Sequence, residues 1–187
     1  MSDIEVIQAL ESMIAPEAAC SLRRQTGSDQ GFIQALFVAR RWQEVSGAPG
    51  WSDAQRRDFL LGQAELQSRH YAQHYPAADF LILVHEQAPI GRLCVHQSES
   101  EVRVVDIALL PGYQNQGLGS ALLHGVLALA DRQHKPCGLS VEQLSPARRL
   151  YERLGFRALD GQGFYTQMQR AVTAEAALNT PSLMTAD

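Results

Sequence analysis

Pro111-Gly112-Tyr113-Gln114-Asn115-Gln116-Gly117-Leu118-Gly119-Ser120 is the stretch on which the fold of this chain turns. The run before it, Val102 to Leu110, is dense in Val, Ile and Leu and reads as a buried strand. The run after it, Ala121 to Ala130, places Leu122, Leu123, Val126, Leu127 and Leu129 at helical spacing. A glycine-bearing turn that opens a helix presents backbone N–H groups without intrahelical partners. With the helix dipole they form an anion site suited to a pyrophosphate.

The glycine spacing narrows the ligand. Gly112-x-x-x-x-Gly117 is half of a Walker A pattern, but Leu118-Gly119 stands where Lys-Ser/Thr should follow, so no side chain reaches a nucleotide's outer phosphates. Gly117-x-Gly119 begins a dinucleotide fingerprint, and Leu122 occupies its third glycine position. What remains is Gln-x-x-Gly-x-Gly, Gln114 to Gly119. It resembles the acyl-CoA pyrophosphate loop of the GCN5-related N-acetyltransferase (GNAT) superfamily. Ser145-Pro146-Ala147-Arg148-Arg149-Leu150-Tyr151-Glu152-Arg153-Leu154-Gly155-Phe156 is similar to that family's second hallmark, Asn-x-x-Ala-x-x-Leu-Tyr-x-x-x-Gly-Phe. The chain departs at Leu144, which replaces the Asn that commonly contacts the pantetheine arm.

The resemblance implies an α/β GNAT (acyl-CoA N-acyltransferase) fold. Its sheet is mixed, largely antiparallel and six- to seven-stranded, with a splayed parallel central pair and flanking helices. It covers residues 18–169, with 1–17 an N-terminal amphipathic extension and 170–187 a disordered tail.

Composition bounds the rest. The 187 residues carry 45% hydrophobic side chains, enough for one core, and a net charge of −4, which offers no basic footprint for nucleic acid. Three cysteines without a C-x-x-C pair fit reduced thiols in the cytoplasm. Asp3, Glu5 and Glu11 replace the basic region of a signal peptide, and no apolar run approaches the ~20 residues of a membrane span.

Periodicity and turn chemistry place the other elements. Ile4 to Ile14 is a short helix, Cys20 to Thr26 a strand, and Ser28 or Asp29 the cap of a helix through Trp42. Ser52-x-x-Gln55 is a capping box for a long helix to His74. Strands follow at Asp79 to His85, Ile90 to Gln97 and Cys137 to Glu142. Pro146 opens a helix that Gly155 ends, and a hairpin around Asp160-Gly161-Gln162-Gly163 closes the domain. The first helix and this hairpin are the surfaces a homodimer would use.

Acetyl transfer to an amine needs a neutral nucleophile, a polarised carbonyl and a protonated leaving thiolate. By the resemblance, acetyl-CoA lies between Val102–Leu110 and Cys137–Glu142. Main-chain groups of Ile107 and Leu109 pair with the pantetheine, and the loop residues Gln114, Gln116, Gly117, Leu118, Gly119 and Ser120 hold the pyrophosphate. Tyr151 is the candidate general acid; the bland alternative is a helix residue packing on the sheet. Asp106, a lone acid in an apolar strand, is the candidate base, acting through water, or else a hydrogen-bonding group at a strand irregularity. Glu142 is the runner-up. Gln63, Gln67, His70 and His74 share one helix face and form a candidate acceptor stripe, or a solvated one. No metal site is expected: His70 and His74 have ligand spacing without a third ligand. Cys94 and His96 on one strand face read as a small hydrophobe beside a surface His rather than a nucleophile pair. The product class is an N-acetylated primary amine. A non-catalytic acyl-CoA-binding module on the same scaffold is the competing class, and an enzyme that acetylates a macromolecule is a third.

Overall fold

The computed structural model describes residues 3–14, 19–159 and 163–172. Seven strands form one sheet in the order β1-β2-β3-β4-β5-β7-β6. They are β1 (Cys20–Arg24), β2 (Asp79–His85), β3 (Ala88–Gln97), β4 (Val102–Leu109), β5 (Cys137–Glu142), β6 (Arg157–Ala158) and β7 (Tyr165–Arg170). The helices are α1 (Asp3–Glu11), α2 (Gln30–Ser46), α3 (Asp53–His74), α4 (Leu118–Arg132) and α5 (Ala147–Arg153). Every strand pair is antiparallel except β4 with β5. The expected mixed sheet with a parallel central pair is therefore observed.

One face of the sheet packs on α1, α4 and α5. Leu22, Leu81, Leu83, Leu93, Val95, Val104, Leu139 and Met168 meet Val6, Leu10, Leu122, Val126, Leu129 and Tyr151 in one core. The N-terminal helix is thus part of that core. Gly125 of α4 lies so close that a methyl group there would come within 3.0 Å of the Leu10 Cα. At the sheet edge, Glu11 of α1 accepts a hydrogen bond from the Leu22 amide at 2.6 Å, covering a donor that an edge strand would otherwise expose. On the opposite face α2 and α3 pack around Phe37, Val38, Leu60 and Ala64, with Trp42 against them.

Local chemistry sets several boundaries. The Ser52–Gln55 capping box is formed, with Gln55 N donating to Ser52 Oγ at 3.3 Å and Ser52 N donating to Gln55 Oε1 at 2.8 Å. The β2–β3 hairpin turns on Glu86 and Gln87, both at positive φ, 46° and 71°, a combination that matches strand twist in a two-residue turn. The cap before α2 departs from expectation. Asp29 makes no side-chain cap to α2; its carboxylate closes a box with Thr26 around a 3-10 turn at Gly27–Asp29. It accepts Arg23 Nη2 at 2.7 Å, Arg23 Nη1 at 2.8 Å and the Thr26 amide at 2.7 Å. The predicted turn at 160–162 and the tail beyond residue 172 lie outside the described residues.

The Arg23 hydrogen bonds, with smaller help from Thr26, hold the Asp29 carboxyl well below the usual carboxylate range. Its stabilisation is complete above the unfolded-state value and is lost as pH falls through the lower folded-state value. Asp29→Asn is expected to cost about 2 kcal/mol at pH 7, the scale of charge-assisted hydrogen bonds. Urea unfolding checks this: the gap between wild type and variant should shrink steadily below about pH 4, and an equal gap at pH 7 and pH 3 would refute the assignment.

Candidate active site

The parallel pair is short. Val102, Arg103 and Val104 pair with Cys137, Gly138 and Leu139, and there the ladder stops. From Val105 onward β4 has no partner in β5, so the two strands part toward their C-terminal ends. Leu110 N donates to Ile90 O at 2.9 Å. In an antiparallel ladder alternate residues face the partner strand. Residues 106, 108 and 110 therefore spend their main-chain groups on β3, and Ile107 and Leu109 turn theirs toward the gap. These are two groups that an extended ligand can pair with as an added strand would.

The loop after β4 ends at the N-terminus of α4. Asn115 and Gly117 take positive φ values of 60° and 85°, which leads the chain sharply into the helix. A side chain on Gly117 would project into open space, and one on Gly119 would touch Leu109 Cδ1 at 3.8 Å. Ala121 N bonds to Gly117 O at 2.9 Å, so the amides of Leu118, Gly119 and Ser120 are those that helix geometry leaves without intrahelical acceptors. Gln114 and Gln116 turn inward. Gln114 Nε2 donates to Leu109 O at 2.9 Å and Gln116 Nε2 to Gly112 O at 2.7 Å, bracing the loop. The result is an open cradle of backbone donors at a positive dipole end, which fits a pyrophosphate. Leu144, at the family's Asn position, is 97% exposed and touches neither element's core.

Tyr151 sits on α5, which packs against β5. Gly155, at φ 88°, ends that helix and lets Phe156 N bond back to Tyr151 O at 3.0 Å. Phe156 is fully buried and its ring packs on Tyr151 edge-on at 6.0 Å. Tyr151 is 8% exposed, and burial pushes its phenol up, opposed by the Arg40 cation and reinforced by the Asp106 anion. Tyr151, Arg40 and Asp106, from α5, α2 and β4, therefore share one electrostatic neighbourhood.

A β-bulge aims Asp106. Opposite β3 the register jumps from Cys94–Asp106 to Val95–Val104, leaving Val105 as the extra residue. Val102 and Val104 face the α4 core, and after the bulge so do Ile107 and Leu109, while Asp106 and Ala108 face α2 and α3. Asp106 there lies 3.7 Å from Arg40 Nη1 and 3.6 Å from Arg92 Nη1. Arg92 is 3% exposed and its guanidinium stacks over Tyr71 at 5.5 Å and Phe80 at 5.3 Å. Burial, seconded by Asp106, pushes the Tyr71 phenol up. Ile33, Leu36, Phe37 and Gln67 complete a narrow recess of about 10 Å³, room for about one water.

The other sequence candidates divide. Glu142 is ion-paired with Arg41 of α2. Of the α3 stripe, Gln67 reaches the recess; His70 and His74 stay exposed and stack on each other at 4.1 Å. Cys94 is buried and its thiol is pushed up to about 12 by desolvation, which removes the thiolate that a nucleophile needs. Among the described residues no group of three His, Cys, Asp or Glu side chains is placed to hold a metal, and no helix is long and apolar enough to cross a membrane. Sequence reading missed Arg40 and Arg92. Arg92 carried a signal: it is the lone charge in the apolar run Ile90 to Val95, as Asp106 is in its own strand.

Residues 76–158, which contain both motifs, match the family model of the acetyltransferase (GNAT) domain. No curated protein matches the chain in sequence. Among solved structures the chain is similar to PaiA N-acetyltransferase of Thermoplasma acidophilum in complex with coenzyme A, at 18% identity and a TM-score of 0.60, over 81% of this chain and 98% of that one. It is also similar to the ribosomal-protein-S18-alanine N-acetyltransferase of Escherichia coli, at 19% identity and a TM-score of 0.55, over 83% and 97%. A GNAT-family acetyltransferase of Staphylococcus aureus Mu50 gives 13% identity and a TM-score of 0.61, over 83% and 100%. At such identities the likeness shows the fold, and the family match adds the domain. With its glycine loop at the head of α4, its parted central strands and its Tyr-bearing α5, the chain has the fold of the solved GNAT acetyltransferases, and its residues 76–158 match the acetyltransferase (GNAT) domain.

Proposed function

We propose that this protein is an N-acetyltransferase that moves the acetyl group of acetyl-CoA directly to a primary amine in a ternary complex. The observation that carries the reading is the conjunction of the donor cradle at Gly117–Ser120, the Ile107 and Leu109 main chain that β5 leaves without a strand partner, and the buried Tyr151 phenol. Acetyl-CoA would supply the thioester, a C–N bond to the amine forming as the C–S bond breaks. Amides of Leu118, Gly119 and Ser120 bind the pyrophosphate, and Ile107 and Leu109 orient the pantetheine arm. Tyr151, protonated at neutral pH, donates its phenolic proton to the leaving thiolate and recovers it from solvent. Asp106 takes the amine's proton through water.

The two arginines beside Asp106 support a second role for it, as the anchor that holds their guanidinium groups. Asp106→Asn separates the roles, since loss of a base lowers kcat while loss of an anchor raises the acceptor KM. We place the protein in the cytoplasm, with residues 18–169 as the catalytic unit and α1 or the closing hairpin as the face a homodimer would use.

Isothermal titration of the purified protein with acetyl-CoA tests the reading. Binding at micromolar level followed by thiol release in the presence of an amine panel is expected. A folded protein that does not bind acetyl-CoA would refute the enzyme and leave an interaction module on the same scaffold.

A further inference from the structure

The main-chain parity of β4 changes just before Asp106. Val102 N donates to Pro136 O at 3.0 Å, so ahead of the bulge the even-numbered residues turn their main chain toward β5. Beyond it Leu110 N donates to Ile90 O, so residues 106, 108 and 110 turn theirs toward β3 and leave Ile107 and Leu109 to the gap. One extra residue, Val105, makes the difference. Regular alternation would instead put residues 102, 104, 106, 108 and 110 on the α4 face and give the main chain of Ile107 and Leu109 to β3.

Apolar patterning does not choose between these registers. The bulged one lays Ile107 and Leu109 on the α4 core, and the regular one would lay Ala108 and Leu110 there. The charge at residue 106 does choose. In the regular register its carboxylate would be buried among Val102, Val104 and the leucines of α4, and an unpaired buried charge is very costly. In the bulged register it meets two guanidinium groups, Arg40 at 3.7 Å and Arg92 at 3.6 Å. Arg92 pairs with Ala108 and Asp106 with Cys94, so the two charges are diagonal neighbours on one face of β3 and β4. Arg92 is 3% exposed and clasped between Tyr71 and Phe80, which makes it a fixed post rather than a mobile surface cation. Arg40 reaches the same carboxylate from α2. We infer that Asp106 is a positioning residue for the donor: its charge, held by Arg40 and Arg92, selects the bulged register and so presents the Ile107 and Leu109 main chain to the pantetheine arm. This rests on the acetyl-transfer reading above and gives the two arginines a part in it, acting through Asp106.

The test compares two replacements of Asp106. Asp106→Val is made together with Arg92→Met, so that no buried guanidinium is left unpaired and an apolar chain fills the clasp. Asp106→Asn keeps a polar group that the α4 core still excludes. Residue-resolved amide exchange reads the register without any ligand, and calorimetry with acetyl-CoA reads its consequence. In wild type and Asp106→Asn the amides of residues 106, 108 and 110 should exchange at least about tenfold more slowly than those of Ile107 and Leu109, and in the apolar pair the order should reverse. Acetyl-CoA affinity should fall by about 30-fold in the apolar pair, the scale of two neutral hydrogen bonds, and stay within about threefold of wild type in Asp106→Asn. Deleting Val105, from wild type or from the apolar pair, carries Ile107 and Leu109 to the gap by regular alternation alone and should hold the affinity within about fivefold of wild type. An exchange order that does not reverse in the folded apolar pair would overturn the inference, as would a reversed order with undiminished affinity. Loss of affinity in Asp106→Asn as large as in the apolar pair would also overturn it, and so would a folded Val105 deletion of the wild type that no longer binds, which decides the matter where the apolar pair does not fold. A wild type that binds no acetyl-CoA, with the exchange order still reversing in the apolar pair, would overturn the acetyl-transfer reading and leave the register standing.

Discussion

Gly117→Trp is expected to weaken acetyl-CoA binding by about 100-fold or more while the protein remains folded. Gly117 lies at φ 85°, so any side chain there pays the left-handed penalty, about 1–2 kcal/mol. No atom stands within 4 Å of the new Cβ, so the indole finds no core to disrupt and extends over the cradle. It thereby covers the amides of Leu118, Gly119 and Ser120, where two or three charge-assisted hydrogen bonds to a pyrophosphate would form, each worth about 1.5–3 kcal/mol. Calorimetry with acetyl-CoA, paired with a thermal melt, reads both quantities. Undiminished affinity in the folded variant would remove the pyrophosphate from the head of α4.

Tyr151→Phe is expected to lower kcat by about 100-fold, the lower end of what a positioned general acid supplies, with acetyl-CoA affinity unchanged. The substitution keeps the ring that packs on Phe156 at 6.0 Å, so stability should move by less than about 1 kcal/mol. Burial raises the phenol above its ordinary value near 10. The acid therefore stays protonated through the neutral range, and its deprotonation cannot produce an alkaline loss of rate below about pH 10. A kcat within threefold of wild type would return Tyr151 to the bland reading, a helix residue packing on the sheet.

Most elements were legible because their causes are local. The Ser52–Gln55 box, the glycine-bearing turn into α4 and Gly155 at the end of α5 each act over a few residues, and each falls where its chemistry says it should. β2 and β5 matched their expected limits because their apolar runs are bounded by turns. The cap at Asp29 was misread because its partner, Arg23, lies in a strand rather than in the helix it precedes. The acceptor stripe on α3 was mostly a solvated face, with Tyr71 rather than the histidines turned inward, since helical spacing gives a face but not its neighbour.

By itself, the sequence determined the glycine loop, the Tyr-bearing helix, the order of strands and helices and hence the fold, because loops, caps and hydrophobic periods are written in consecutive residues. Only the tertiary structure decided what surrounds Asp106. Strict alternation along β4 would bury it with Val102 and Val104 against α4; the extra residue Val105 turns it to the other face, beside Arg40 and Arg92. A bulge is a property of two paired strands, and the arginines come from an early helix and a neighbouring strand. The charge of the recess beside Asp106 therefore exists only once β3, β4 and α2 have packed together.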